Sequence, residues 1–452
     1  MFEYWGDILG KGKITTDSDS ITPGMIYVDI NTKSRKNIYK AHRNGASIIV
    51  TDKNLSNPNI PVIKVKDIEE AYFTLLNMLY ERPIDMVSLI AVHGGIKGDF
   101  IVKLLNGVFI KHFTKSLDSI KLDEFTYAFF TEKSKSIAEK LFYYILLCIS
   151  NEIKVIPLNY SSDYARFNKL LKRRYDCRIL IDENGERENN ELETIEGQTL
   201  FVNIDNPNIL KRIDEQKDNI VITFGLNKKA AVTATSIEYG EITKFNYCLQ
   251  RAFHTKSGNI VEPFEVPIAI NGLGINNVYS ALAAISCALY YDIDLECIKD
   301  VLSKCEDRGR DFSITRFKDF ILINSYCITE KDCREAFEKM QMLDYGNLHV
   351  IISALYFDID NIEKLLFELI NEWGVSLNIK EIIVLLKNEK MSSKSNMELL
   401  ENGISIKYYE QLPNVVCNVI NNITDRDVVL ILGQDEICSA QYIFELMLSN
   451  KY

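Results

Sequence analysis

The chain has 452 residues, 47% of them hydrophobic and 25% charged, with a formal net charge of −11 at pH 7. This composition is typical of a soluble globular protein, and the length suggests about three domains of ordinary size. The acidic balance argues against a general nucleic-acid-binding protein, because such proteins carry a basic excess that offsets phosphate charge.

Short apolar runs alternate with helical stretches along almost the whole chain. The runs are continuous rather than alternating, which indicates strands covered on both faces. Strands are predicted at 25–30, 46–50, 61–65, 178–181, 199–204, 219–225, 319–325, 348–353, 381–386 and 427–433. Helices are predicted at 68–80, 135–149 and 277–290. This order is typical of α/β domains with largely parallel sheets.

Two places separate an apolar helix from a new strand and therefore predict domain boundaries: the turn at Arg82 and Pro83, and the charged stretch 303–311. The resulting domains are 1–84, 85–307 and 308–452. The acidic stretch 182–197 is predicted to be a solvated loop or hairpin.

Targeting and metal-binding signals are missing from the sequence. The first residues show no basic segment before an apolar stretch, and no apolar run approaches the roughly 20 residues that span a bilayer. The ten cysteines include no C-x-x-C pair, and histidine is too scarce for a metal cluster. We therefore expect a cytoplasmic protein with reduced thiols, no membrane span and no metal site.

Eight segments follow one another in a recognisable order. They are "TTDSDSITPGMIYVDI" (15–30), "NGASIIV" (44–50), "IPVIKVKDIEEAYFTLLNMLYERP" (60–83), "LIAVHGGIKGDFIVKLL" (89–105), "VNIDNPN" (202–208), "GINNVYSALAAISCALYYDIDLECIKDVL" (274–302), "RGRDF" (308–312) and "DVVLILGQDE" (427–436). In this order and spacing they resemble the Mur ligases, which add amino acids to UDP-N-acetylmuramoyl peptides. The resemblance covers nearly the whole chain and is closest to the ligase that adds the third peptide residue.

The resemblance implies an α/β fold of three domains. They are an N-terminal uridine-binding-like domain, a central P-loop-like ATPase domain and a C-terminal Rossmann-like domain. The family reaction is an ATP-dependent amide ligation through an acyl phosphate, which requires magnesium, a phosphate cradle and a cation on the transferred group.

The segment "VHGGIKGD" is similar to the family's "GTNGKTT" phosphate loop but departs from it at the end. Gly94 keeps the first glycine and is followed by Gly95. Lys97 falls on the last glycine, Gly98 on the lysine, and Asp99 on the hydroxyl residue. One interpretation is a turn that Asp99 caps, stabilising the following helix by roughly 1 kcal/mol, and that no longer binds ATP. The other is a rearranged loop in which Lys97 reaches a phosphate and Asp99 binds magnesium.

Other parts of the family site lack a counterpart. The strand that carries the metal-binding glutamate is matched by 154–159, which has no acid. The carbamylated lysine is missing between 175–184 and 202–208. The arginine of "DNPR" has no equivalent in 385–391, and 433–436 lacks the lysine and histidine of "GKGHE".

Four ligand contacts of the family keep their residue type. Asn277 matches the asparagine that meets adenine, and Arg310 matches the arginine of "GR". Ser18 is retained at the uridine site, and Thr131 is retained from a "TTP" motif. Structural alternatives are a helix cap for Asn277, a surface role for Arg310 and a simple turn at Ser18.

Three hypotheses follow. The first is a Mur-ligase-like protein without ligase activity or cofactor, which binds or regulates a cell-wall-precursor enzyme or a true ligase. The second is a divergent ligase that uses ATP and magnesium through Lys97, Asp99, Asn277 and Arg310. The third is a sensor that binds the UDP-linked muramoyl precursor without turning it over.

Overall fold

Alternating strands and helices make up the described part of the chain. The computed structural model describes residues 14–30, 35–55, 61–114, 136–160, 170–171, 175–181, 198–213, 219–240, 242–272, 274–305, 312–327, 330–353, 359–386, 398–401, 403–433 and 435–449. The two compact units comprise the described residues within 1–95, 105–200 and 211–221, and those within 96–104, 201–210 and 222–452. The acidic stretch 182–197 lies outside the described residues.

The first sheet is fully parallel and has two covered faces. In spatial order its strands are β1 (Ile14–Thr15), β2 (Ile26–Val28), β3 (Ile48–Thr51) and β4 (Val62–Lys64), and its helices are α1 (Lys36–Arg43) and α2 (Ile68–Leu79). Ile38 of α1 packs in one apolar cluster with Tyr27 and Ile49. Val28 and Val50 face the other cluster, which includes α2. Burial on both faces explains why these strands read as continuous apolar runs.

The second sheet has eight strands in the order β14-β11-β10-β9-β8-β7-β5-β6. The strands are β5 (Ser88–His93), β6 (Val155–Asn159), β7 (Tyr175–Leu180), β8 (Thr199–Asn203), β9 (Ile220–Phe224), β10 (Val232–Glu238), β11 (Ile242–Leu249) and, after a separate β12 (Phe253–His254) and β13 (Ile260–Val261) pair, β14 (Phe264–Asn271). Strand β5 pairs in parallel with β6 and β7, whereas β11 pairs antiparallel with β10 and β14. The antiparallel part was not predicted. Buried and exposed residues alternate along β11, as is typical of a strand with one solvated face.

The helices that accompany this sheet are α3 (Gly95–Thr114), α4 (Ile137–Ser150), α5 (Pro207–Ile213), α6 (Ile275–Tyr290) and α7 (Leu295–Lys304). Helix α6 is buried along most of its length because its sequence is apolar on all sides.

Helices α2 and α4 share one carboxylate. Glu69 in the first turn of α2 accepts hydrogen bonds from the Ser136 hydroxyl (2.7 Å) and the Ala138 N–H (2.9 Å), at the start of α4. Ser136 is itself the N-cap of α4 and accepts from the Glu139 N–H at 3.1 Å. Glu69 therefore satisfies one of the free N–H groups of α4 and orients its cap.

Substituting Glu69→Ala should lower the free energy of unfolding by about 1–2 kcal/mol, since one backbone N–H and one hydroxyl lose their acceptor. Urea titration of the full chain, followed by far-ultraviolet circular dichroism, would measure the change. Glu69→Gln is the matched control because its carbonyl oxygen still accepts. An alanine variant as stable as the wild type would contradict the shared cap.

The third sheet has seven strands in the order β15-β16-β21-β17-β18-β20-β19. They are β15 (Ser313–Arg316), β16 (Phe320–Tyr326), β17 (Leu348–Ser353), β18 (Ile379–Leu385), β19 (Glu398–Glu401), β20 (Ile404–Tyr409) and β21 (Asp427–Gly433). The helices are α8 (Glu330–Met340), α9 (Ile359–Trp373), α10 (Leu412–Asn422) and α11 (Asp435–Ser449). The five inner strands are parallel, and the two edge strands are antiparallel to their neighbours.

Both faces of the third sheet are covered. Residues of α8 and α9 join one apolar cluster, and residues of α10 and α11 join the other. Helices on both faces of a mainly parallel sheet define an α/β domain, as predicted. The strands predicted here agree with those observed to within two residues.

The predicted turn at Arg82 and Pro83 is present. Arg82 has a left-handed φ of 57°, and the short 3-10 helix Pro83–Met86 follows it. The two domain boundaries remain predictions, and 306–311 lies outside the described residues. Within the described ranges, none of the helices combines the length and the apolar character that a membrane span requires.

Candidate functional site

The junction between β5 and α3 is the segment where a phosphate loop is predicted. Strand β5 ends at His93 and α3 begins at Gly95, so a single buried residue, Gly94, connects them. A phosphate loop needs several successive residues whose N–H groups turn toward the ligand. Here those residues are the first turn of a 20-residue helix.

The predicted loop residues therefore lie on α3. Lys97 is half-buried, Gly98 is buried, and Asp99 is exposed. The prediction that Asp99 caps the helix is wrong, because a capping residue precedes the first helical residue and Asp99 is well inside α3.

A buried arginine lies beside the end of β5. Arg178 of β7 pairs with Ala91 across the sheet and is only 5% exposed. Its Nη1 is 3.3 Å from Nε2 of His93, and its Nε donates to Oε1 of Gln198 at 3.0 Å. The Gln198 amide in turn donates to the carbonyl oxygen of Tyr175. The side chains of His93, Arg178 and Gln198 and the carbonyl of Tyr175 thus form one continuous chain of polar contacts.

Aromatic rings complete this group. The His93 ring stacks on Tyr160 with centroids 4.3 Å apart, and the guanidinium of Arg178 lies 5.8 Å from the Tyr160 centroid and 5.4 Å from that of Tyr175. Both distances suit cation–π attraction. Burial raises the pKa of Tyr175, so its phenol stays neutral. We call His93, Tyr160, Tyr175, Arg178 and Gln198 the Arg178 cluster.

The Arg178 cluster was not predicted from the sequence. The available signal was a charged residue inside the apolar strand "YDCRILI", since a fully buried arginine is rare without partners. The cluster lies toward the carboxyl ends of β5 and β7, the edge at which parallel α/β sheets usually hold ligands. In this chain the protein's own side chains occupy that position.

Asn277 lies in the first turn of α6 and is only 5% exposed. The alternative that it caps the helix is wrong, because α6 begins at Ile275 and its N-cap is Gly274. Gly274 has a φ of 107°, and a Cβ there would lie 3.3 Å from Cε of Lys339 on α8. The left-handed φ is the reason that glycine is favoured at this position.

The motif "VNIDNPN" contains Asp205, whose carboxylate is hydrogen-bonded to groups of the protein itself. Asp205 accepts from the N–H groups of Leu226 (2.5 Å) and Asn227 (3.2 Å) and from the Tyr279 hydroxyl (2.8 Å). Burial raises the pKa of Tyr279, and its hydrogen bond to Asp205 adds to the effect. A Cβ on Gly225 would approach Asp205 Oδ2 to 2.6 Å. Asp205 therefore holds the turn between β9 and β10 against α6, a role that was not predicted.

Ser18 lies in a compact turn of the N-terminal sheet, consistent with its structural alternative. The Asp17 N–H donates to the Thr15 hydroxyl (3.1 Å), and the Asp19 N–H donates to Asp17 Oδ1 (2.9 Å). Ser18 is buried, and its carbonyl oxygen accepts from the Asn44 amide at 2.9 Å. Asp19, which stands where the family has arginine, forms an ion pair with Lys40.

A second carboxylate lies at the carboxyl ends of β2 and β3. The buried Asp29 accepts from the hydroxyls of Thr51 (3.1 Å) and Tyr27 (3.4 Å) and forms an ion pair with Lys53. Burial, followed by the charge of Asp29, raises the pKa of Tyr27. The ion pair of Asp29 with Lys53 therefore lies at this edge of the sheet. It was not predicted from the sequence.

Two predicted contacts, Thr131 and Arg310, lie outside the described residues, as does 185–197, most of the segment expected to lack the carbamylated lysine. Among the described residues, no group of three or more His, Cys, Asp or Glu side chains could hold a metal ion.

The third sheet contains a buried charged network on four strands. His349 Nδ1 is 2.7 Å from Glu381 Oε1, and its Nε2 is 3.3 Å from Asp427 Oδ2. Lys407 donates to the other oxygen of Glu381 at 2.7 Å. His349 and Asp427 stand near the amino ends of β17 and β21, away from the ligand-binding edge. We assign this network, which was not predicted, to the stability of the sheet.

Comparison with curated proteins gives distant relatives, and no family model matches. The chain is 22% identical to a UDP-N-acetylmuramoyl-L-alanyl-D-glutamate–2,6-diaminopimelate ligase of Caldanaerobacter subterraneus, over 74% of the chain and 68% of the relative. It is 24% identical to the ligase of that name from Oceanobacillus iheyensis, over 75% and 72%. A UDP-N-acetylmuramate–L-alanine ligase of Caldicellulosiruptor bescii is 23% identical over 53% and 51%.

Solved structures share the fold across nearly the whole chain. The MurF ligase of Thermotoga maritima in complex with ADP matches with a TM-score of 0.65 and 14% identity, covering 98% of this chain and 99% of that one. A D-alanyl-D-alanyl-adding ligase of Acinetobacter baumannii matches with a TM-score of 0.63 and 14% identity, over 97% and 92%. The predicted α/β class and three-domain architecture are thereby confirmed.

Proposed function

We propose that the chain is a cytoplasmic member of the Mur ligase family that has lost ligase activity. It acts as a binding or regulatory partner of a cell-wall-precursor enzyme or of an active ligase. The observation that carries the proposal is the direct junction of β5 and α3, which leaves one residue where a phosphate loop needs several.

The junction matters because phosphoryl transfer depends on positioned N–H groups and cations. In a helix that begins at Gly95, only the first few N–H groups remain free of internal bonds. Gly98 stands where the family has its lysine, and the carboxylate of Asp99 repels phosphate. Loss of the loop, the lysine and the hydroxyl together removes the transition-state contacts of this segment.

The neighbouring side chains support the same conclusion. The Arg178 cluster lies at the carboxyl edge of β5 and β7. The guanidinium of Arg178 contacts His93, Gln198 and two tyrosine rings. Asp205 is likewise engaged by Leu226, Asn227 and Tyr279. Both groups are arranged for stability rather than for a charged ligand.

We expect no ADP release that depends on the muramoyl peptide and the amino acid. The full chain would be incubated with Mg-ATP, a UDP-muramoyl dipeptide and diaminopimelate, beside an active diaminopimelate-adding ligase. The chain's rate should be at least about 1000-fold below that of the active enzyme, because each lost contact alone can lower the rate by orders of magnitude. ADP release that requires both acceptor and amino acid would overturn the proposal.

A thermal melt with Mg-ATP separates loss of catalysis from loss of binding. A ligand at about 100 times its Kd adds roughly 2.7 kcal/mol to stability. An unchanged melting temperature is the result that the β5–α3 junction favours, whereas a clear rise would show that nucleotide still binds.

A divergent ligase is the second candidate, and one observation favours it: Lys97 and Asp99 both lie in the first turns of α3, close to the positive end of its dipole. Magnesium and ATP would then be held by these residues with Asn277 and Arg310. Lys97→Ala should abolish ATP turnover, with Lys103→Ala on the same helix as the control. An unchanged rate in the Lys97 variant would remove this candidate.

The sensor hypothesis concerns the N-terminal domain and the UDP-linked muramoyl precursor, with Ser18 and Thr131 as its contacts. The turn that contains Ser18 supports it only weakly, because Asp19 beside it and Asp29 at the end of β2 carry carboxylates, which repel an anionic ligand. A calorimetric titration with the precursor that shows no heat would exclude it.

A further inference from the structure

The N-terminal sheet ends in a strand that, among the described residues, has a neighbouring strand on one side only. This edge strand is β4, which pairs with β3. The Val65 N–H, directly after β4, donates to the Thr51 carbonyl oxygen of β3 at 3.0 Å. Backbone groups alternate in direction along a strand, so those of Val62 and Lys64 point away from β3. The outer edge of β4 therefore presents two N–H groups and two carbonyl oxygens to a further strand.

An apolar groove runs beside this edge, because α2 covers only part of its face of the sheet. The floor of the groove is formed by β2 and β3, one wall by Ile63 and Val65, and the other wall by Ala71, Leu75 and Met78 of α2. Its volume is about 520 Å³, within the range typical of ligand-binding clefts. The large apolar side chains of Ile63 and Met78 are 50% and 62% exposed.

The side chains of β4 divide between the two faces of the sheet. Ile63 and Val65 point into the groove. Val62 packs in the apolar cluster of α1 on the opposite face, and by alternation Lys64 points to that face as well. A strand added to this edge would therefore place every second side chain in the groove and the others beside Lys64.

The charges around the groove decide which strand fits. Lys64 and Lys66 are both exposed, so the edge is basic. Asp67 serves as the N-cap of α2 and accepts from the N–H groups of Glu69 and Glu70, and the Glu70 side chain lines the groove side. Opposite charges on neighbouring strands stabilise a sheet, and like charges destabilise it. A second copy of the chain would bring these lysines together, whereas acidic side chains on the added strand would pair with them.

We propose that the edge of β4 and its groove bind an extended protein segment in which apolar and acidic side chains alternate. The segment adds to the sheet as a fifth strand, with its apolar side chains between β4 and α2 and its acidic side chains beside Lys64. Main-chain hydrogen bonds provide the affinity of such a complex, and alternate side chains provide its specificity. Ser18 does not line this groove. Such binding does not depend on whether the chain has lost ligase activity.

The test titrates the full chain into the fluorescently labelled peptide Ser-Ile-Glu-Val-Glu-Val-Ser and follows the fluorescence anisotropy. We expect saturable binding. A scrambled peptide with adjacent glutamates, and a peptide with lysines in place of the glutamates, should each bind about tenfold more weakly. Equal binding of the ordered and scrambled peptides would overturn the proposal.

Methylated peptides test the backbone pairing. Only every second N–H group of an added strand points toward β4. N-methylation of alternate residues should therefore weaken binding for one set of positions and leave it unchanged for the other. If both methylated peptides bind as tightly as the parent, no strand is added and the proposal is wrong.

Variants of the full chain locate the site. Met78→Glu on the helix wall should weaken binding, and Lys64→Glu should weaken it by about three- to tenfold while strengthening binding of the lysine peptide. Both side chains are exposed, so the fold should be preserved. Lys36→Glu, at an exposed lysine of α1, is the control. Wild-type affinity in both the Met78 and Lys64 variants would contradict the proposal.

Sedimentation of the full chain tests the other occupant, a second copy. We expect a sedimentation coefficient that does not change with protein concentration. A concentration-dependent dimer that Met78→Glu dissociates would assign the groove to a second copy and overturn the proposal.

Discussion

Replacing His349 with alanine is expected to lower the free energy of unfolding by about 3–5 kcal/mol, the usual cost of removing one partner from a buried charged group. The ring is fully buried, and each of its nitrogens faces a carboxylate oxygen, of Glu381 at 2.7 Å and of Asp427 at 3.3 Å. Alanine would remove the polar contact that each of these two carboxylates makes with the ring. These residues lie on β17, β18 and β21, so the substitution should destabilise all three strands.

The same network predicts how stability depends on pH. Burial by itself raises the pKa of Glu381, but hydrogen bonds from His349 and Lys407 outweigh it and lower the pKa to about 2. Burial also opposes ionisation of Asp427, whereas hydrogen bonds from Thr424 and the neighbouring backbone lower its pKa to about 2. Unfolded carboxyl groups titrate near 4. Both groups therefore stabilise the fold above about pH 4, and this stability is lost as the pH falls through about 2.

Hydrogen exchange of peptides that cover β17, β18 and β21, measured on the full chain, would report the loss locally. In His349→Ala the exchange of these strands should accelerate, and acid unfolding should begin at a higher pH because Glu381 has lost one donor. His254→Ala is the control, since His254 is exposed. Equal exchange in the His349 variant and the wild type would show that the network does not stabilise the sheet.

Replacing Arg178 with methionine is expected to cost about 2–4 kcal/mol, which combines a hydrogen bond to a charged group with two cation–π contacts. Methionine retains much of the apolar stem, so the change isolates the guanidinium. Gln198 would lose the donor 3.0 Å from its side-chain oxygen, and the contact with His93 would be lost. The edge of β5 and β7 should become less stable.

Two further variants test this explanation. Arg178→Lys keeps the charge but not the planar fork, so its stability should lie between those of the methionine variant and the wild type. Arg43→Met, at an exposed arginine, should have little effect. If Arg178→Met were as stable as the wild type, the cluster would be better explained as a ligand site than as internal packing.

The amino-acid sequence determined the α/β class and the positions of ten of the 21 described strands. Strands such as β17 and β21 are continuous apolar runs, and this signal is local: each is complete within its own few residues. The family resemblance rests on the same kind of evidence, because it depends on the order of short motifs. The departures of Lys97, Gly98 and Asp99 from the phosphate-loop pattern were also visible in the sequence alone.

Only the tertiary structure showed where the helix after β5 begins and which distant residues come into contact. Packing against the sheet determines whether Gly95 begins a helix or a loop. Because the helix begins at Gly95, Asp99 lies inside it and cannot be the cap that the sequence predicted. The contact between His93 and Arg178 joins residues 85 positions apart, and the network of His349 joins residues 32 and 78 apart. Such contacts follow from strand order and register, which are set by the burial of whole faces and not by the residues near each side chain.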